Sequence, residues 1–109
     1  MSITTHERNI SKPTKKDVGI KDFYNTIHNA DCLDVFPKLP DESIDLIVAD
    51  PPYWKVINEK WDYQWATERD YIEWSKRWFV EAHRVLKKGG SFYLFGYFRM
   101  LALLLTELV

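Results

Sequence analysis

Ile44-Asp45-Leu46-Ile47-Val48-Ala49-Asp50-Pro51-Pro52-Tyr53 is the stretch that decides how the rest of the chain is read. Five of its first six residues are apolar and mostly β-branched, the pattern of a strand buried on both faces of a parallel sheet. Two consecutive prolines then fix φ and remove two amide donors, so the strand cannot continue and the peptide beyond it is stiff. In open α/β sheets, ligands bind beyond the carboxyl ends of the strands, which makes this turn a candidate site by position. The turn offers carbonyl oxygens without competing N–H groups. Asp50 adds a carboxylate acceptor and Tyr53 an aromatic face, a set that suits a planar ring bearing an exocyclic amino group. The plainer alternative is that the prolines merely end a strand and Tyr53 packs; the buried strand in front of them favours the functional reading.

Working outward, residues 24–29 form a short β-tending run leading to Asn29-Ala30-Asp31-Cys32. Leu33, Val35, Phe36 and Leu39 then fall on a helical turn closed by Pro37 and Pro40. Downstream of the double proline, Thr67 has the character of a helix N-cap, with Glu68 and Asp70 in the first turn where they complement the dipole. The spacing predicts a helix over 68–87. Tyr71, Trp74, Ser75, Trp78, Ala82, Val85 and Leu86 recur at three- and four-residue steps along it, with Gly89-Gly90 supplying its terminator. Residues 91–95 read as a further buried strand and 97–109 as a Leu-rich helix. Strand, helix, strand, helix argues a parallel α/β sheet.

At 109 residues the chain has room for one small domain, and 46% hydrophobic with 28% charged residues is an ordinary globular composition. The polar residues 1–22 show no apolar period and are expected to be a flexible arm, with the packed unit over 23–109. Fifteen Lys and Arg against sixteen Asp and Glu leave a net charge of -1, so no global field points to nucleic acid or membrane, although a local basic patch is compatible with that balance. A single cysteine excludes an internal disulfide framework and fits a reducing, cytoplasmic address. No apolar run approaches the ~20 residues that span a bilayer. His6, His28 and His83 share no ligand spacing with one another or with Cys32, so no metal is expected. All five Trp lie between Trp54 and Trp78. Trp74 and Trp78 are expected to pack against the sheet, whereas Trp61 and Trp65, in the irregular stretch, are divided between substrate contact and local packing.

Asp50-Pro51-Pro52-Tyr53 behind that apolar strand resembles the catalytic motif of DNA methyltransferases that modify exocyclic amino groups (adenine-N6 or cytosine-N4) with S-adenosylmethionine. Two further blocks agree. The sequence from Ile27-His28-Asn29-Ala30-Asp31-Cys32 through Ile44-Asp45-Leu46 resembles the opening block of the permuted members, in which the catalytic motif precedes the cofactor motif. Arg84-Val85-Leu86-Lys87-Lys88-Gly89-Gly90-Ser91-Phe92 resembles the helix-to-strand block that follows. The likeness covers residues 24–98. It implies a Rossmann-like S-adenosylmethionine-dependent methyltransferase fold, present in part, with about three parallel strands and intervening helices. It also implies site roles. Asp50 and the carbonyl of Pro51 would accept from the target amino group, with Pro52 stiffening the turn; Tyr53 and Trp54 would stack on a flipped base. Asp31, with the adjoining Cys32 and Asp50, would lie on the cofactor side. Asp in the first motif position resembles adenine-N6 enzymes more than cytosine-N4 enzymes, where Ser is common.

Cys32 also invites comparison with cytosine-C5 chemistry, but it follows Ala30-Asp31 where that family has Pro-Cys, and a small buried hydrophobe is the expected role. The family's Phe-x-Gly-x-Gly cofactor loop is missing, since Gly19, Gly89, Gly90 and Gly96 are the only glycines. The resemblance therefore implies an N-terminal catalytic part that needs a C-terminal portion or a second subunit for the cofactor loop. In the family's seven-stranded sheet two strands of that other half would separate the strand ending at Asp31 from the strand ending at Asp50. The edge of 44–49 would be open in the isolated chain, which is expected to be poorly soluble or only partly folded. Two other readings stay open: methylation of a planar amine in RNA or on a protein glutamine, where Asn leads the turn, and an inactive remnant or interaction module.

Overall fold

The structure, a computed structural model, describes residues 19–55 and 59–108. Its elements are a 3-10 turn at Lys21–Phe23, helix α1 at Cys32–Val35 running into a 3-10 turn at Phe36–Lys38, strand β1 at Ile44–Ala49, a 3-10 turn at Lys60–Tyr63, helix α2 at Glu68–Val85, strand β2 at Leu86–Leu94 and helix α3 at Phe98–Leu108. The strands are parallel neighbours, in register from Leu46 opposite Ser91 to Ala49 opposite Leu94. The strand, helix, strand, helix order read from the sequence is thus present, and β1 has the bounds its apolar run dictates. Of the expected polar arm, residues 1–18 lie outside the described residues, while Ile20 is buried in the core.

Helix α2 explains how the two strands meet. Thr67 caps it by accepting from the backbone N–H of Asp70, at 3.1 Å, and Tyr71, Ile72, Ser75, Trp78, Ala82 and Val85 form its buried stripe. The lower part of that stripe packs Trp78, Ala82 and Val85 against Ile44, Ile47, Ala49, Phe36, Leu39 and Ile20. Each of the large apolar side chains among these contributes about 1.5–3 kcal/mol by leaving water, and each alanine methyl about 0.8 kcal/mol. Trp65, Tyr71, Ile72, Met100 and Leu104 make a second core, where α2 meets α3 beside the end of β1. Among the described residues the opposite sheet face carries exposed apolar side chains, Val48, Tyr93 and Phe95 at 44%, 58% and 56%. Parallel sheets are normally covered on both faces.

Two sequence expectations need correction. Residues 24–29 are irregular, and among the described residues the sheet has two strands, not about three. A β-tending run needs a neighbour to satisfy its backbone groups, and no strand lies beside it; Asn25 instead turns left-handed, at φ 56°. Helix α2 also stops at Val85, short of Lys87, because its last carbonyls find tertiary donors. Glu42 and Ser43 donate backbone N–H groups to Arg84 and Val85 at 2.9 and 2.8 Å, and Leu86 is already extended. Gly89 is left-handed as expected, at φ 79°, yet it serves an irregularity within β2, where the pairing jumps from Leu86 opposite Ile44 to Ser91 opposite Leu46.

Arg84 fastens the segment before β1. Its guanidinium donates to the carbonyls of Phe36 and Leu39, at 2.7 and 3.0 Å, and pairs with Asp41 at 2.6 Å and Glu81 at 2.5 Å. The last two contacts hold the guanidinium pKa above its usual value, Glu81 being the larger cause. Among the described residues no helix is long and apolar enough to cross a membrane.

Candidate active site at the end of strand β1

Strand β1 delivers the chain to the sheet's carboxyl edge, where Asp50 is exposed, Pro51 is buried, and Pro52, Tyr53 and Trp54 are half-buried. The Tyr53 hydroxyl donates to Oδ1 of Asp50 at 2.7 Å. That bond, followed by slight desolvation and the carboxylate's charge, raises the phenol's pKa above its usual value. The acid and the ring that the sequence singles out are therefore one hydrogen-bonded pair.

Behind the turn the supports are polar and buried. Tyr71, reaching up from α2, donates its hydroxyl to the Pro52 carbonyl at 2.7 Å, and burial pushes its phenol pKa well up, so it stays a donor across ordinary pH. Trp54 and Lys55 both adopt left-handed backbone, φ 65° and 61°. For residues with a Cβ this costs about 1–3 kcal/mol each and persists only where surrounding contacts impose it. Those contacts come from the segment before α2. The Trp54 N–H donates to Oδ1 of the fully buried Asp62 at 2.6 Å, the Lys55 N–H donates to the Asp62 carbonyl at 2.7 Å, and the Trp54 indole N–H donates to the Trp65 carbonyl at 3.0 Å. The Trp54 ring lies nearly parallel to Tyr71, centroids 5.9 Å apart, with the Lys55 ammonium 4.8 Å from the Trp54 centroid. Tyr53, Trp54, Lys55 and Tyr71 face Tyr97, Arg99, Met100 and Leu103 across a cleft of ≈450 Å³. Aromatic walls with cationic side chains at the rim suit a planar base attached to a phosphate backbone.

The remaining singled-out residues lie elsewhere. Asp31 is exposed and caps α1, its Oδ1 accepting from the Leu33 N–H at 2.9 Å. Cys32 is buried in the main core, and burial raises its thiol pKa, so it behaves there as a small hydrophobe. Among the described residues no hydrogen bond or ring contact joins either residue to the Asp50 turn. Trp65 packs in the second core, edge-on to Tyr71 and tilted against Trp74, which settles its role between contact and packing as packing. Trp78 is wholly buried. Asp62 and Tyr71 were not legible as site residues: Asp62 carries no motif, and Tyr71 falls on the apolar stripe of a helix. The available signal was an acid flanked in sequence by Trp61, Tyr63 and Trp65 shortly after the double proline.

Comparison with known proteins agrees with this geometry. A family model described as DNA methylase matches residues 44–107, from the start of β1 almost to the end of α3. The chain is 36% identical over 95 residues to the Type II methyltransferase M.HinfI of Haemophilus influenzae, an alignment covering 74% of this chain and 26% of that protein. It is 36% identical over 85 residues to the Type II methyltransferase M.BamHI of Bacillus amyloliquefaciens, covering 71% and 19%. Against the DNA adenine methyltransferase YhdJ of Escherichia coli (strain K12) it is 43% identical over 72 residues, covering 63% and 24%. The chain thus spans between 19% and 26% of the length of these curated relatives. With more than half of its residues matched by the family model, the double-proline turn included, the chain belongs to the N6/N4 DNA methylase family.

Proposed function

We propose that this chain carries the amine-binding half of a DNA adenine-N6 methyltransferase site, built on part of a Rossmann-like methyltransferase fold. The observation that supports it most is the exposed Asp50 carboxylate on a double-proline turn, opening beside an aromatic cleft of ≈450 Å³. A flipped adenine stacks on Tyr53 and Trp54, which line that cleft. One amino hydrogen goes to Asp50, exchanging with the Tyr53 hydroxyl that occupies Oδ1, and the other goes to the Pro51 carbonyl. Both bonds favour a tetrahedral nitrogen whose lone pair points out of the ring plane. Asp50 removes no proton beforehand, because an aryl amine is too weak an acid. It orients the amine and stabilises positive charge growing on nitrogen, and the proton leaves to solvent during or after transfer.

For S-adenosylmethionine this chain offers the acceptor carboxylate of Asp31, exposed and able to receive an adenine amino group while Oδ1 caps α1, with Cys32 beneath it and Asp50 on the transfer side. The Asp31 acceptor suits the amino-bearing adenine end of the cofactor, and Asp50 faces the transferred methyl without holding the cofactor. When bound, the cofactor supplies an electrophilic methyl on sulfur, so an N–C bond forms as an S–C bond breaks. The glycine-rich loop absent from residues 1–109 is supplied by further polypeptide, as a C-terminal portion or a second subunit. The packed unit reaches back at least to Ile20, which sits in the main core, three residues before the expected boundary at 23, and a cytoplasmic address is part of this reading. The likeness to YhdJ, a DNA adenine methyltransferase, and the Asp that leads the turn support adenine over cytosine.

The test is methyl transfer from labelled S-adenosylmethionine to DNA by the chain alone and by the chain complemented with a polypeptide carrying the glycine-rich loop. N6-methyladenine from the complemented chain is expected. N4-methylcytosine would replace the adenine reading, and no transfer in the complemented state would favour an inactive remnant.

A further inference from the structure

The Asp50 turn is held at both ends, and only one end is the strand. Upstream, β1 fixes Ala49, and Pro51 and Pro52 cannot flex about φ. Downstream, the chain makes two left-handed residues in succession, Trp54 and Lys55, and among the described residues three hydrogen bonds from 62–65 hold them there. Asp62 is the centre of that grip. It is 0% exposed, and it gives the Trp54 N–H a carboxylate oxygen at 2.6 Å and the Lys55 N–H its backbone carbonyl at 2.7 Å. A carboxylate buried beside a backbone turn is costly to desolvate, and a neutral residue would satisfy packing at lower cost. Tyr71, 2% exposed, adds a hold from a different element by engaging the Pro52 carbonyl and lying parallel to the Trp54 ring. Its grip fixes the plane of the peptide between Pro52 and Tyr53, and hence the approach of the Tyr53 ring to Asp50.

We propose that Asp62 and Tyr71 are positioning residues for methyl transfer, clamping residues 52–55 from the far side so that Asp50, the Pro51 carbonyl and the rings of Tyr53 and Trp54 meet the incoming amine in one fixed arrangement. Neither residue touches the reacting atoms; both act through the turn. This rests on the methyl-transfer reading above.

The two readouts are independent. In the complemented enzyme, with 5-fluorotryptophan in this chain only, the ¹⁹F resonance of Trp54, assigned with Trp54→Phe, reports the clamp, and that of Trp78, assigned with Trp78→Phe, reports whether the main core stays folded. Rates are measured on the same variants after complementation, with DNA as acceptor. Asp62→Ala and Tyr71→Phe are expected to move the Trp54 signal and leave that of Trp78, and to lower kcat by about tenfold or more, since small displacements of reacting groups are costly. KM for S-adenosylmethionine stays put. Asp62→Asn, whose amide oxygen can accept the same N–H, restores the Trp54 signal and most of kcat. A displaced Trp54 signal with unchanged kcat overturns the proposal, as does an unmoved signal in both Asp62→Ala and Tyr71→Phe. A complemented wild-type chain with no transfer at all overturns the methyl-transfer reading and this proposal together, and is told apart by that zero.

Discussion

At the Asp50 turn a carboxylate stands where β1 runs out, and four backbone or side-chain groups behind it are tied to Asp62, Trp65 and Tyr71. At the Asp31 turn a carboxylate that is also exposed is spent, on one oxygen, on capping a four-residue helix, and its neighbour Cys32 is sunk in the core. Both turns follow a run that the sequence suggests as a strand, but only 44–49 is apolar and only it pairs. The difference is that the first is pre-set by elements present in the described residues, whereas the second is set only locally. A turn that must hold an amine against a developing charge benefits from that rigidity. A carboxylate that receives a cofactor's amino group can be completed by whatever covers it.

Substitution at the two acids separates the turns most sharply. In the complemented chain, Asp50→Ala should lower kcat by about 10²–10³-fold with KM for S-adenosylmethionine unchanged, as expected for losing a group that acts on charge in the transition state. Asp31→Ala should raise that KM with a smaller change in kcat. Initial-rate kinetics check both, and the reverse pattern would break the comparison.

A second contrast concerns the ties. Arg84 is to the segment before β1 what Asp62 is to the turn after it, gathering the carbonyls of Phe36 and Leu39. Arg84→Ala should cost about 1.5–3 kcal/mol, the range for hydrogen bonds to charged groups, measured by urea titration of the complemented chain. Hydrogen exchange should accelerate over residues 32–39 and not over 50–55. Smaller still, Asp31→Ala removes an N-cap and should destabilise by about 1 kcal/mol in the same titration, with fraying confined to α1.

The smallest effect is a titration. The Tyr53 phenol, raised mainly by its bond to Asp50, should ionise above the ordinary value of about 10 in ultraviolet difference spectra, and Asp50→Asn should bring it down. Since the folded value is the higher one, the bond's contribution is fully present below about pH 10 and is lost as pH rises through the folded value.

What the residues disclosed in advance follows the same division. The bounds of β1, the Thr67 cap and the buried stripe of α2 are written locally, as a β-branched run, a capping residue and a helical period. The Asp50 turn was legible because two prolines leave the backbone few options. Residues 24–29 misled because a strand is a relation between two segments and its neighbour is not among those described. The end of α2 misled because its last carbonyls are met by Glu42 and Ser43, more than forty residues upstream, which removes the need for a glycine terminator there. Asp62 and Tyr71 stayed hidden for a like reason: their importance lies in bonds to Pro52 and Trp54, and a helical or irregular context gives no sign of them.

The most direct measurement is nucleoside analysis of DNA incubated with S-adenosylmethionine and the complemented chain, wild type beside Asp50→Ala. The account predicts N6-methyladenine with the wild type and at most about one hundredth of that initial rate with the variant. Equal methylation by the two chains would contradict it, because Asp50 would then not be the residue that holds the amine.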